Sequence, residues 1–306
     1  MRLRGQERMG TRSPAATPLP AGLRSAGRLG RRLKRYPLVS SFILVALLVF
    51  PAITADWLAP HDPIQGFVPD RRQPPVFFGG TWEYPLGTDR IGRDILSRIM
   101  HGAKVSLSIS LVGIFFGGVL GTLLGLLGGY FRGWLDAVIM RLVDISLALP
   151  SILLALVLAV ALGPSFRTVI LVVVFVLWAL YARQVRGEVL SIRERDFVAR
   201  ARASGNSHAR IILRHILPNV ANTIVVLATL QVGSVIILEA ALSFLGVGIP
   251  KPTPAWGLMV ADGRQLIVSA WWIAFFPGLA ITLTVFALNL LGDWVRDRLD
   301  PKVSQV

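Results

Sequence analysis

Few residues in this chain are spaced to do covalent chemistry. There is no Gly-x-x-x-x-Gly-Lys-Ser/Thr loop to cradle nucleotide phosphates, and no Ser/His/Asp or paired-carboxylate arrangement. The absence of cysteine removes disulfides and thiolate metal centres. Four histidines, His61, His101, His208 and His215, lack the close paired spacing of a structural zinc site. What remains is a basic stretch between apolar runs, residues 183–219, RQVRGEVLSIRERDFVARARASGNSHARIILRHILPN, and two polar residues, Gln231 and Glu239, inside an apolar run. A carboxylate placed so near a membrane core is expensive to bury charged.

The basic stretch reads as two helices and a sharp turn. Helix formers run over 183–204 with Val185, Val189, Ile192, Val198 and Ala201 close to a 3.6-residue period. Gly205 offers a left-handed stop, and Asn206 or Ser207 caps a second, short helix that Pro218 ends. A rigid unit too short to be a domain suits a lever pushed by another protein.

The elements around it are membrane spans. With 54% hydrophobic and 16% charged residues and a mean hydropathy of +0.63, the chain is too apolar for a soluble protein of this length. Six apolar runs are expected to span, at about 38–55, 105–130, 142–162, 168–181, 219–242 and 271–291. Of the 32 Lys and Arg, 23 fall at the two ends and in segments 130–141 and 182–218. The positive-inside rule therefore places both termini and the lever in the cytoplasm, and the +15 net charge calls for no nucleic acid.

Several local readings follow. Residues 56–104 form an external loop in which Thr88 or Asp89 caps an amphipathic interfacial helix, with Ile91, Ile95, Leu96 and Ile99 opposite Arg93, Asp94 and Arg98. In the second span, Gly113, Gly117, Gly121, Gly125 and Gly129 recur every fourth residue, a packing signal that lets two backbones approach. Residues 131–141 read as a short turn, Asp144 as the partner of Arg141, and Pro150 as a kink. Pro250, Pro252 and Pro254 stiffen a second external segment, and Trp256, Trp271 and Trp272 suit an interfacial belt.

DFVARARASG followed by HILPN resembles the EAA loop of bacterial ABC importer permeases, whose pattern is Glu-Ala-Ala, three residues, Gly, nine residues, Ile-x-Leu-Pro. Gly205, Leu217 and Pro218 match at the right spacing; Ala199 stands where the Glu would be, Arg200 replaces the first Ala and His215 the Ile. PLGTDRIGRDILSRIMHGAKVSL at 85–107, the FLG and PTPAWG wording at 244–257, and LGDWVRDRLDP at 291–301 resemble the C-type permease of dipeptide, oligopeptide and nickel importers.

The resemblance implies an all-α integral membrane protein with six transmembrane helices, the type I ABC importer permease fold and a cytoplasmic EAA coupling loop. It implies four regions: a basic cytoplasmic tail, 1–36; a first span with external loop, 37–104; a five-helix core, 105–292, with coupling loop 183–219; and a cytoplasmic end, 293–306. ATPase coupling is expected at Asp196, Ala201, Arg202, Gly205, Asn206, Ser207, Arg210, Ile211, Arg214, His215, Leu217 and Pro218. Gln231 and Glu239 are the candidates for a translocation path.

The implied assembly is a heterodimer with a second homologous permease, two cytoplasmic ATPase subunits and an external solute-binding protein, in the bacterial cytoplasmic membrane. The chain itself is expected to be non-catalytic and to bind no cofactor, ATP and magnesium belonging to the ATPases. The rival is a stand-alone secondary transporter or channel, which calls for inverted repeats and ion-coupling charges deep in the spans.

Overall fold

The computed structural model describes residues 37–299, and the basic tail 1–36 and residues 300–306 lie outside them. The described chain is helical. Its helices are α1 (Pro37–Leu58), α2 (Ile95–Phe131), α3 (Gly133–Ala148), α4 (Ser151–Leu162), α5 (Phe166–Ile192), α6 (Asp196–Ala203), α7 (His208–Ile211), α8 (Leu217–Phe244), α9 (Trp256–Gly263) and α10 (Trp272–Leu299). Among the described residues, four helices are long and apolar enough to cross a membrane: α2, α5, the continuous run from α7 through α8, and α10. The bent pair α3 and α4 makes a fifth if counted as one span. The expected run 38–55 falls on α1, 22 residues long, whose side chains are described only in part.

The centre of the bundle is α2 against α5. Gly113 faces Val173, Gly117 faces Leu177, Gly125 meets Ala182 and Val185, and Gly129 meets Val189, a constant offset that makes the helices parallel. A Cβ at Gly121 would come within 2.3 Å of the Trp178 carbonyl oxygen. The four-residue glycine period is thus a groove for a neighbour in the same chain.

Local chemistry corrects several sequence expectations. The helix expected from residue 88 begins at Ile95, because Gly92 has φ +84° and the Asp89 carboxylate accepts from the Ile91 and Arg93 amides. Asp94 is the N-cap, accepting from Leu96 N (3.3 Å) and Ser97 N (2.9 Å). Arg93, Asp94 and Arg98 are buried rather than solvated: Arg93 pairs with Asp89 at 2.7 Å, and Arg98 donates to the Pro63 carbonyl at 2.9 Å. From Asp94 the helix continues without a break into the second span, so the 104/105 boundary falls inside α2.

Residues 131–141 are mostly helix, since α3 starts at Gly133 after Arg132 turns the chain at φ +60°. Arg186 holds Asp136 with two bonds, 2.5 and 2.7 Å, and Asp144 pairs with Arg183 of α5 (2.6 Å), not with Arg141. At Leu149 the residue before Pro150 is forced out of helical geometry, to ψ 136°, and α4 leaves α3 at 93°. Trp256 and Trp272 are buried, donating to the Ile99 carbonyl (2.9 Å) and the Thr88 carbonyl (3.3 Å); the exposed tryptophans are Trp57, Trp82 and Trp134.

Candidate coupling segment

α5 ends at Ile192 and a three-residue turn redirects the chain into α6, so the helix expected over 183–204 is two helices. Arg193 anchors this turn by donating to the Tyr130 carbonyl (2.6 Å) at the end of α2 and pairing with Glu194 (3.1 Å). α6 starts with Asp196 in its first turn, the favourable end of the helix dipole for an anion. It closes on a Schellman motif. Gly205, at φ +74°, donates to Arg202 O (3.0 Å), and the Asn206 amide reaches back to Ala201 O (3.2 Å), with the Asn206 side chain adding a bond to the same oxygen (3.0 Å). Ser207 then caps α7 by accepting from Arg210 N at 3.4 Å.

Pro218 does not end this helix. It lacks an N–H, and its ring would clash with the carbonyl four residues back. The chain widens instead into a π-helical segment, Ile212–Ile216, where Leu217 N donates to Ile212 O. The Asn219 side chain donates to the His215 carbonyl at 2.7 Å. α7 therefore runs through this joint into α8 as one 37-residue helical run, His208–Phe244.

One side of the segment is core. Val198, Ala201, Ile211 and Ile216 are buried with Leu126 and Tyr130 of α2 and Val185 and Val189 of α5. Two further contacts hold it: the Tyr130 hydroxyl and His208 Nδ1 are 2.9 Å apart, and the Arg202 guanidinium lies 5.4 Å from the Tyr130 ring centre. Asp196, Gly205, Ser207 and Pro218 are exposed, whereas Asn206, His215 and Leu217 are half-buried. Arg210 and Arg214 are exposed one turn apart, and Leu213 between them is 60% exposed.

Tyr130, Arg193 and Leu213 were not singled out from the sequence. Tyr130 was signalled only by ending the glycine run, and Leu213 only by lying three and one residues from the two arginines on the same surface. The exposed face offers an apolar knob between two cations, a surface for a groove with an acidic rim. Its buried face is fixed to three long helices at once.

Gln231 and Glu239 are not brought together with this segment. Gln231 is half-buried on α8. Glu239 is enclosed, accepting from Ser106 of α2 (2.7 Å) and from Ser243 (2.9 Å), whose oxygen also accepts from Ile249 N (3.2 Å). In this conformation it ties α2, α8 and the following loop together.

The family model for binding-protein-dependent transport system inner membrane components matches residues 121–305. The chain is 42% identical over 267 residues to the di/tripeptide transport system permease protein DppC of Pseudomonas aeruginosa (strain UCBPP-PA14), covering 87% of this chain and 88% of that one. It is 43% identical over 275 residues to the glutathione transport system permease protein GsiD of Escherichia coli O157:H7, covering 90% and 89%. Among solved structures, the inward-facing MetNI methionine ABC transporter aligns with a TM-score of 0.54 at 18% identity, over 66% of this chain and 96% of that one, a likeness of fold.

Proposed function

Because the chain belongs to the family of binding-protein-dependent transport system inner membrane components, we propose that it is the permease subunit of an ATP-driven importer of di- or oligopeptides. The observation that carries the reading is the coupling segment: a short cationic surface fixed to α2 and α5 by buried side chains and continuous with α8 through a π-helical joint. The names of the similar permeases support a peptide as cargo. We place the segment in a groove of a cytoplasmic ATPase, with a homologous permease, a second ATPase and an external solute-binding protein completing the assembly in the cytoplasmic membrane, both termini inside. ATP and magnesium belong to the ATPases, and this chain makes no covalent change to the cargo.

The mechanism follows from how the segment is held. When ATP draws the two ATPases together, Arg210, Leu213 and Arg214 move with them. Val198 and Ala201 pass the displacement to the ends of α2 and α5, and the π-helical joint passes it to α8. Nucleotide biases two global arrangements of the spans only if the segment makes different contacts in each. Gln231 on α8 lines the path in one arrangement, and Glu239 holds the far end of α2 and α8 closed until they part.

The test is uptake of a labelled dipeptide, a longer peptide and a nickel chelate in cells with and without this chain. The expected result is loss of peptide uptake. Unchanged peptide uptake, or uptake by this chain that survives ATP depletion, overturns the reading in favour of a stand-alone transporter.

A further inference from the structure

The end of the bundle opposite the coupling segment carries an unusual loop. Residues 74–82, PPVFFGGTW, have no charged side chain. They form a tight tip: Phe78 N and Gly80 N both donate to Pro75 O (2.8 and 3.1 Å), and Val76 N donates to Pro85 O (3.2 Å). Gly79 turns at φ +92°, and a Cβ at Gly80 would come within 1.9 Å of Pro74 O, so the tip is preformed. Yet this built loop displays Phe77, Phe78 and Trp82 at 61%, 62% and 81% exposure. Large apolar groups grouped on a rigid surface loop mark a surface that meets something apolar.

Its position says what that is. Phe77 stands edge-on to Phe276 and Phe78 edge-on to Trp271, with ring centres 6.2 and 5.6 Å apart, so the tip sits on the first turn of α10. From that turn an exposed apolar stripe descends α10 through Phe275, Leu279, Leu283 and Phe286, spacings that keep one helical face. Trp57 on α1 is also exposed, next to Asp56, whose carboxylate pairs with Lys104 of α2 (2.6 Å). The tip is thus continuous with the exposed apolar face of α10, close to buried and paired charged residues at Asp89, Arg93 and Arg98. Aromatic rings favour the membrane–water boundary, where an apolar face and a polar edge are both satisfied.

We propose that the 74–82 loop seats Phe77, Phe78 and Trp82 in the headgroup–acyl boundary of the bilayer, as an interfacial anchor for the end of the bundle away from the coupling segment. It holds α10 and the buried Asp89–Arg93 turn at a fixed depth while the coupling end moves. This inference rests on α10 being a membrane span.

The chain contains no cysteine, so each single-cysteine variant of it, purified and labelled before the complex is assembled, carries one spin label. Phe78→Cys, Trp82→Cys, Leu283→Cys on the α10 stripe and Arg90→Cys on the exposed turn are then assembled into the complete complex in liposomes. Collisions with oxygen are compared with collisions with a water-soluble nickel chelate. Oxygen collisions exceeding chelate collisions at 78, 82 and 283, with the reverse at 90, is the expected result. A label at 78 or 82 that favours the chelate overturns the proposal, as does one protected from both reagents, which places a protein over the tip. If 283 itself favours the chelate, the span reading of α10 fails and the anchor with it. Should a labelled variant not accumulate, brominated-lipid quenching of tryptophan fluorescence is compared between the natural chain and Trp82→Phe. The anchor requires the natural chain to lose more signal, and equal quenching overturns it.

Discussion

The two pairs of long helices are covered to different degrees. Over their most apolar 18-residue windows, 56% of α2 and of α5 is buried within the chain, against 28% of the His208–Phe244 run and of α10. The first pair is a clamp made by small residues, with backbones so close that a Cβ at Gly121 or Gly125 would meet a carbonyl oxygen of α5 at 2.3 or 2.7 Å. The second pair leaves most of its surface to lipid or to partners. The coupling segment joins the two, packed on the clamp by its buried face and continuous with the open pair through the π-helical joint. A displacement at this point has a rigid body to push against and a loosely held one to move.

The comparison breaks first at the clamp. Gly121→Val places a branched side chain where even a Cβ meets the Trp178 carbonyl at 2.3 Å and Tyr181 Cβ at 2.6 Å. The cost is at or above ~3 kcal/mol, the upper end for overpacking, since backbone cannot be repacked around it. The expected outcome is loss of the chain from the membrane fraction and a collapsed thermal midpoint in detergent. Gly187→Ala on the facing helix α5, where nothing lies within 4 Å, is expected to be neutral or to stabilise by up to ~1 kcal/mol. Equal sensitivity at both positions would remove the distinction between a packed and a free glycine.

A second break is outside the clamp. Leu213→Asp puts a carboxylate in place of the exposed knob between Arg210 and Arg214. A central apolar contact is worth ~2 kcal/mol, so ATPase co-purification should weaken about 30-fold. The thermal midpoint should change little, because Leu213 is 60% exposed. Undiminished co-purification would move the ATPase contact elsewhere.

Gly205→Val tests the turn between the two parts. The Cβ has open space, so the penalty is purely the left-handed backbone, ~1–2 kcal/mol. That shifts the population of the closed turn by a factor of roughly 5–30. Uptake should fall by that order while the chain remains in the membrane, and Gly205→Asn, which tolerates this region better, should be milder. Normal uptake by the valine variant would deny the turn a part in coupling.

Where the sequence was legible follows from which physics is local. The glycine period shows that some helix approaches α2; that the helix is α5, in parallel, depends on how the 93° break at Pro150 returns the chain, and no local pattern carries that. Gly205 was readable as a left-handed stop because one residue decides it. Pro218 was misread as a terminus because a lone proline usually breaks a helix, whereas here a π-helical widening absorbs it. Arg93, Asp94 and Arg98 read as the polar face of an interfacial helix because burial of charge is visible only once Asp89 and Pro63 are beside them.

The smallest effect is the most informative about how clamp and lever communicate. Tyr130→Phe keeps the ring under Arg202 and against Phe131 and removes only the hydroxyl that meets His208 at 2.9 Å. The backbone anchor from Arg193 to the Tyr130 carbonyl is untouched, so the end of α2 stays in place. One neutral hydrogen bond is worth ~0.5–1.5 kcal/mol, and the site is partly exposed, so stability should barely change. If the clamp senses α7 through this bond, ATP hydrolysed per peptide imported should rise in Tyr130→Phe at unchanged ATPase binding. His208→Gln, which still offers an amide to the hydroxyl, should restore part of the coupling lost in His208→Ala. An unchanged ratio in all three variants would remove this hydrogen bond from the link between clamp and α7 and leave it to the buried contacts and the Arg193 and Arg202 contacts to Tyr130.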